Sequence, residues 1–219
     1  MSGYNVGEAI GRLAEPLDGP FAQAVAALAR AAGTAILYGY PERDGKAIYS
    51  AAACISLDGS LLANHRKLAI PPGFELDHFA PGDGATFFTL AGLSFAVLVC
   101  YDAEFPEAVR HAARAGVQCV LVPTALRDIW GVVAHKMMPT RAFENGVYVV
   151  YCNHAGAEGD FAYLGASCIA SPTGEDLARA GAGQEVIAAR LDAASVAAAQ
   201  ERLPYHRDLD RLVRALRGS

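Results

Sequence analysis

The run Leu93-Ser94-Phe95-Ala96-Val97-Leu98-Val99-Cys100-Tyr101-Asp102-Ala103-Glu104-Phe105-Pro106-Glu107 decides the reading of this chain. It is apolar and β-favouring from Leu93 to Val99 and turns polar at Cys100, and Pro106 is suited to be the first residue of a helix. A cysteine therefore sits where a buried strand ends. In α/β folds the carboxyl ends of strands open into the crevices where ligands bind, and a following helix N-terminus favours a thiolate. Position alone leaves two readings open for Cys100, a nucleophile or a cysteine packed as a small hydrophobe.

Working outward, Thr86 to Leu90 and Leu93 to Val99 read as a hairpin joined at Ala91-Gly92. A helix over 106–115, closed by Gly116, returns the chain to a strand from Val117 to Val122, which makes a βαβ unit with parallel strands. Upstream, Gly19-Pro20 opens a helix with Phe21, Val25, Leu28 and Ala32 on one face and Gly33 at its end. Thr34 to Tyr40 reads as a strand, and Ala47 to Leu57 and Ser60 to His65 as a hairpin around Asp58-Gly59. Lys67 stands just beyond. Ala69 to Gly84, with three prolines and Glu75, Asp77, His78 and Asp83, reads as a structured loop.

Downstream, a helix spans roughly Trp130 to Asn145 with Pro139 as a kink or break, and Val147 to Cys152 is a strand. Tyr163 to Ser171 and Glu185 to Leu191 read as further strands around the Ser171-Pro172-Thr173-Gly174 turn. A helix from Ala193 to Leu203 leads to the charged tail Tyr205 to Arg217. Hairpins mixed with βαβ units imply two sheets with helices on their outer faces, a four-layer α-β-β-α sandwich of class α/β. Residues 1–219 form a single domain, with 193–219 expected to pack on a partner subunit.

Composition excludes several classes. The 219 residues are 53% hydrophobic and 19% charged with a formal charge of −5, a globular balance without the basic footprint of a nucleic-acid binder. No apolar run is long enough to cross a membrane, and the N-terminus lacks signal-peptide character. Five cysteines without a CxxC pair argue against a disulfide framework or zinc knuckle, and no HExxH spacing supports a metal. The expectation is a cytoplasmic protein.

A cysteine nucleophile needs a base, a cation to favour the thiolate, and donors aimed at the oxygen that becomes negative. Lys67 is the candidate cation, against its reading as a solvated edge charge, and the Tyr101 N–H is suited to the oxyanion. Glu75, Glu104, Glu107 and Glu144 are the carboxylates in reach. Three have ordinary explanations: Glu107 in a first helical turn, Glu144 paired with Arg141, Glu104 as a loop carboxylate. His135 and His154 sit in no motif that would fix them as a base.

Arg66-Lys67, Phe74-Glu75, Phe79, Pro81-Gly82-Asp83, Cys100-Tyr101-Asp102 with Phe105-Pro106-Glu107, Arg141-Ala142-Phe143-Glu144-Asn145 and Asn153 resemble, in order and spacing, the nitrilase superfamily of carbon–nitrogen hydrolases. Within it the chain looks most like the bacterial amidase and N-carbamoyl amidohydrolase branch. The resemblance runs from Gly3-Tyr4 to about Asp192. It implies Cys100 as nucleophile, Lys67 with the Tyr101 N–H as oxyanion stabilisers, and Glu75 as a second glutamate that contacts the lysine. It also implies a pocket lined by Trp130 and Asn153, a small amide or carbamoyl substrate, no cofactor, and a homodimer or higher homo-oligomer. The general-base glutamate of the family lies upstream of a Gly-Tyr matching Gly3-Tyr4, so this chain is expected to lack it, together with the first strand, first helix and second strand. Either upstream residues supply it, or the chain is a non-catalytic relative.

Overall fold

The structure is a computed structural model, and it describes residues 3–218. A 3-10 turn at Gly7–Ala9 and the short helix α1 (Ile10–Leu13) precede α2 (Pro20–Ala32). Strands β1 (Ile36–Asp44), β2 (Ala47–Ile55) and β3 (Leu61–Arg66) form an antiparallel three-stranded sheet in the order β1-β2-β3. After the short helix α3 (Phe74–His78) come β4 (Thr86–Leu90) and β5 (Leu93–Val97), then a 3-10 turn at Cys100–Glu104, α4 (Pro106–Arg114) and β6 (Cys119–Thr124). A π-helical turn at Val133–Met137 runs into α5 (Met138–Asn145). Strands β7 (Tyr148–Asn153), β8 (Ala155–Glu158), β9 (Phe161–Leu164), β10 (Cys168–Ala170) and β11 (Asp176–Arg179) precede α6 (Ala193–Arg202) and α7 (Tyr205–Arg217). The larger sheet has six strands in the order β11-β10-β7-β6-β5-β4, and β8 and β9 pair as a separate hairpin.

The layers follow from strand alternation. Along β6 and β7, Val120, Val122, Val149 and Tyr151 pack with α4 and α5, while Cys119, Leu121, Tyr148 and Val150 face the other sheet. Along β2, Ala52 and Cys54 face between the sheets, and Ala51, Ala53 and Ile55 pack beneath Val25 and Ala29 of α2. Helix, sheet, sheet and helix therefore stack in that order. The β5-α4-β6 unit is parallel as its spacing predicts, and the helices form where Pro20 and Pro106 start them and Gly33 closes the first.

Three local expectations need correction. Glu185 to Leu191 is not a strand: Val186 is 95% exposed, and the stretch is held by single anchors, Leu191 against the inter-sheet core and the Asp192 N–H to the Tyr148 hydroxyl at 3.1 Å. The strand in that region is β11, nearer the turn. Tyr163 to Ser171 splits in two, because Gly165 and Ala166 both adopt positive φ (65° and 52°) and carry the chain from the β8–β9 hairpin to the main sheet. The strand into Cys100 ends at Val97. The Trp130 to Asn145 helix, by contrast, has its irregularity at Pro139 as expected: the Met138 N–H reaches back five residues to the Val133 carbonyl, a π-turn that shifts the register ahead of the residue lacking an N–H.

The outer edge of β1 is met by Glu15, whose N–H donates to the Pro41 carbonyl (3.1 Å) and whose carbonyl accepts from the Arg43 N–H (2.8 Å). The β1–β2 register is unbroken, so the backbone groups of Leu37 and Gly39 share that outward direction. On the opposite edge, the Gly82 N–H donates to the Lys67 carbonyl at 2.7 Å. A Cβ at Gly82 would lie 2.3 Å from the Arg66 carbonyl oxygen, so only glycine permits this approach. Gly82→Ala is therefore expected to destabilise the protein by about 1–3 kcal/mol, as overpacking does, and to lower the thermal midpoint by several degrees in calorimetry.

Candidate functional site

A cavity of about 500 Å³ lies between the sheets, and Lys67, Glu75 and Cys100 all line it. Each arrives from a different element. Lys67 continues the inward parity of Ala63 and His65 at the end of β3, so its side chain passes between the sheets, while its neighbour Arg66 points the other way, to Glu42 at 2.6 Å and Asp44 at 2.8 Å. Glu75 sits in the first turn of α3, which Gly73 enters at φ 93°. Cys100 follows β5, and strict alternation would place it with Leu98 on the helix-covered face. Its φ of 50° instead returns the side chain to the cavity. A non-glycine residue held there stores about 1–3 kcal/mol of strain, the kind found at functional sites.

Lys67 and Glu75 form an ion pair almost out of water, with side chains 1% and 2% exposed. The ammonium donates to both carboxylate oxygens, at 2.8 and 2.6 Å. The Tyr4 hydroxyl donates a third bond to Glu75, at 2.6 Å. That desolvation is offset by the close ion pair and by the Tyr4 bond, which together give Glu75 three donors. Glu75 thus has its oxygens committed and directed, which suits a residue that orients the lysine and not one that abstracts a proton. Tyr4 was assigned no role from the sequence, although Gly3-Tyr4 stood at the edge of the matched motifs. Its hydroxyl is held well above the usual tyrosine range by burial first and the Glu75 charge second. Glu158 fixes it in place by accepting the N–H groups of Tyr4 (3.0 Å) and Asn5 (2.9 Å) and the Tyr163 hydroxyl (2.6 Å).

Burial pushes the Cys100 thiol above the ordinary cysteine range. The Lys67 ammonium and the Ala125 amide oppose that shift, and the Glu75 and Glu104 carboxylates add to it. Glu104 is half-buried, and its own carboxyl is raised by burial against the pull of Lys67 and Arg141. Arg141 braces the 3-10 turn by donating to the Ala103 and Glu104 carbonyls at 3.3 and 2.6 Å. It also pairs with Glu144 at 3.0 Å as helical spacing predicts. Glu107 is exposed in the first turn of α4. Among the described residues lining the cavity, Glu75 is the sole carboxylate.

The remaining sequence candidates divide. Asn153 lines the cavity, but its amide is committed: Oδ1 accepts the Leu126 N–H at 2.7 Å and Nδ2 donates to the Gly165 carbonyl at 2.8 Å. Tyr101 follows the nucleophile candidate in sequence, its ring packed edge-on against Phe105 and not among the cavity walls. Trp130 is not brought to the cavity either; it is 54% exposed beside Ile129 and Val132. His154 lines the cavity, whereas His135 does not. Asp102 and His65, buried behind Cys100, had no sequence signal beyond the Cys100-Tyr101-Asp102 string.

Comparisons with known proteins give the family. Residues 1–201 match the family model for carbon-nitrogen hydrolases. A protein of Pseudomonas protegens named hydrolase in pqqF 5′ region is 46% identical over 196 residues, which are 88% of this chain and 68% of that protein. An (R)-stereoselective amidase of a Pseudomonas species is 30% identical over 95% of this chain and 76% of its own length. The NitN amidase from Nesterenkonia sp. AN1 superposes with a TM-score of 0.76 at 33% identity, covering 86% of this chain and 74% of that one. A butyramide complex of that amidase is covered over 63% of its length.

Two measurements follow from the electrostatics. With the thiol raised, the rate of Cys100 alkylation climbs with pH through the range above about 8.5, and Lys67→Met, which removes a charge that favours the thiolate, moves the profile further upward. Glu75→Gln leaves the Lys67 ammonium buried without its counter-ion. It is expected to cost about 3–5 kcal/mol in denaturant unfolding, as breaking one side of a buried pair does.

Proposed function

The chain belongs to the carbon–nitrogen hydrolase family, and from that membership and the geometry of its cavity we propose that it carries the nucleophile and oxyanion half of a cysteine amidohydrolase for small amides or N-carbamoyl compounds. The observation that carries the reading is the convergence of Cys100, Lys67 and Glu75 on one cavity from three separate elements. In this reaction the Cys100 sulfur attacks the amide carbon, and the carbonyl electron pair moves onto oxygen beside the Lys67 ammonium and the Tyr101 N–H. The tetrahedral intermediate collapses to a thioester as the protonated amine leaves. Water then attacks the thioester, releasing the acid and restoring the thiol. Losing one such oxyanion donor costs about 100- to 1,000-fold in rate.

The raised thiol makes a general base necessary. In the Nesterenkonia amidase, a form in which one glutamate is replaced by glutamine still shows covalent addition of the acetamide moiety of fluoroacetamide at the active site cysteine. Glu75 is committed to Lys67 and Tyr4, so on this reading the base is a carboxylate other than Glu75. A second reading, a non-catalytic member of the same fold, is favoured by one observation: Glu75, the sole cavity carboxylate among the described residues, is already committed to Lys67 and Tyr4.

Fluoroacetamide separates the two. Incubated with the protein and followed by intact mass and peptide mapping, it is expected to modify Cys100 well ahead of the exposed Cys152. Equal labelling of the two cysteines would remove the nucleophile assignment. Turnover of small amides by the protein would remove the second, non-catalytic reading.

A further inference from the structure

Asp102 is 1% exposed, His65 is fully buried, and neither takes part in the reaction sequence above. Asp102 Oδ1 accepts the Leu68 N–H at 3.0 Å and the Ala69 N–H at 2.8 Å. Its Oδ2 accepts the Val99 N–H at 3.0 Å and faces His65 Nε2 at 3.2 Å. Leu68 and Ala69 directly follow Lys67, and Val99 directly precedes Cys100. These two segments leave different sheets, β3 in one and β5 in the other, so no ladder of strand hydrogen bonds sets their separation. One carboxylate sets it instead.

We propose that Asp102 is the positioning residue of this site, a clasp that holds the Lys67 and Cys100 peptides in fixed relation, with His65 fixing the orientation of its second oxygen. The inference rests on the reading of Cys100 and Lys67 given under Proposed function. An ionised carboxylate offers about four acceptor positions, and four donors occupy them here. Asp102 therefore has no capacity left for a thiol proton or a hydrolytic water, which excludes it as the general base and leaves the structural link as its work. The hydrogen-bond network assigns the facing proton to His65 Nε2, because the opposite partner is a carboxylate oxygen surrounded by donors. His65 Nδ1 lies 3.2 Å from the Thr86 hydroxyl on β4, so the orientation of Asp102 is tied to the strand next to β5. The clasp also explains how Cys100 keeps φ at 50°: the Val99 N–H is held by the Asp102 side chain, the Asp102 N–H bonds the Val99 carbonyl at 3.1 Å, and the turn between them is closed from both sides.

Two substitutions grade the effect. Asp102→Asn preserves shape and can keep the acceptor facing Leu68 and Ala69, but turns an amide N–H toward the Val99 N–H, releasing the cysteine side alone. Asp102→Ala releases both sides. The readout is the rate of fluoroacetamide addition at Cys100 between about pH 6 and pH 10, where Lys67, Glu75 and Glu104 are the charges around the sulfur. Circular dichroism and thermal unfolding report the fold in parallel. Displacing a reacting group by about 1 Å typically costs about 100-fold. The expected result is a loss approaching that size in Asp102→Ala and a smaller one in Asp102→Asn. Both variants should also show an upward shift of the pH profile as sulfur and ammonium separate, which a loss of general stability would not produce.

Folded variants with unchanged rate and unchanged midpoint would overturn the clasp. If Asp102→Ala does not fold, Asp102→Asn decides alone, since it retains volume and half the acceptor set. A parent chain that labels Cys100 no faster than Cys152 would overturn the nucleophile reading itself and the clasp with it. Fast labelling of the parent that persists in Asp102→Asn would overturn the clasp only.

Discussion

Lys67 and Glu75 are two opposite charges taken almost completely out of water, and much of the chain between residues 66 and 84 exists to make that tolerable. Removing an ion from water costs several kcal/mol even after relaxation, so the pair depends on its close geometry and on the further bond from Tyr4. Helix α3 is five residues long, too short to be stable by propensity. It is held by its ends, through Gly73 before it and the Phe79 N–H bonded to the Glu75 carbonyl at 2.9 Å after it. Gly82 closes on the Lys67 carbonyl, and Tyr4 arrives from the far end of the chain to complete Glu75. A loop rich in proline and charge is thereby tied to the end of β3 and to Tyr4.

The same pair sets the chemical character of Cys100. In a dry site the lysine alone would favour the thiolate, but its charge is largely spent on Glu75, and burial wins. The sulfur is therefore presented to the cavity as a thiol, strained in backbone and poised in position but not ionised. A lysine so neutralised is better suited to an oxygen that gains charge during reaction than to a sulfur charged before it, since its stabilisation is felt most where new negative charge appears.

How much of this was legible in the sequence depends on the range of the interaction. The β5-α4-β6 unit and the helix caps at Pro20, Gly33 and Pro106 are local events, and periodicity with punctuation reads them directly. Cys100, Lys67 and Glu75 were legible because their spacing belongs to a family pattern; without it, Lys67 stood equally as an edge charge. Tyr4 and Asp102 were not legible as partners, because Tyr4 meets a residue 71 positions away and Asp102 reaches back 33 and 34. No local period encodes such contacts. Glu185 to Leu191 misled for the opposite reason: its composition is that of a strand, but a strand needs a neighbour, and the edge it would have joined is already taken by β11. Trp130 misled because a large aromatic beside a site motif suggests a pocket wall, whereas the turn at Asp128–Trp130 carries it outward.

The outer edge of β1 has a bearing on how this protein behaves as a material. Beyond the single bridge to Glu15, the outward amides and carbonyls of Leu37 and Gly39 form part of a cavity wall. A free strand edge with few charges is a template for any other extended chain. Tyr38, Gly39 and Tyr40 lie in such a segment, and the nearest charge on the strand is Glu42, itself buried against Arg66. The outer edge of β1 is thus a place where another extended strand finds backbone groups to pair with.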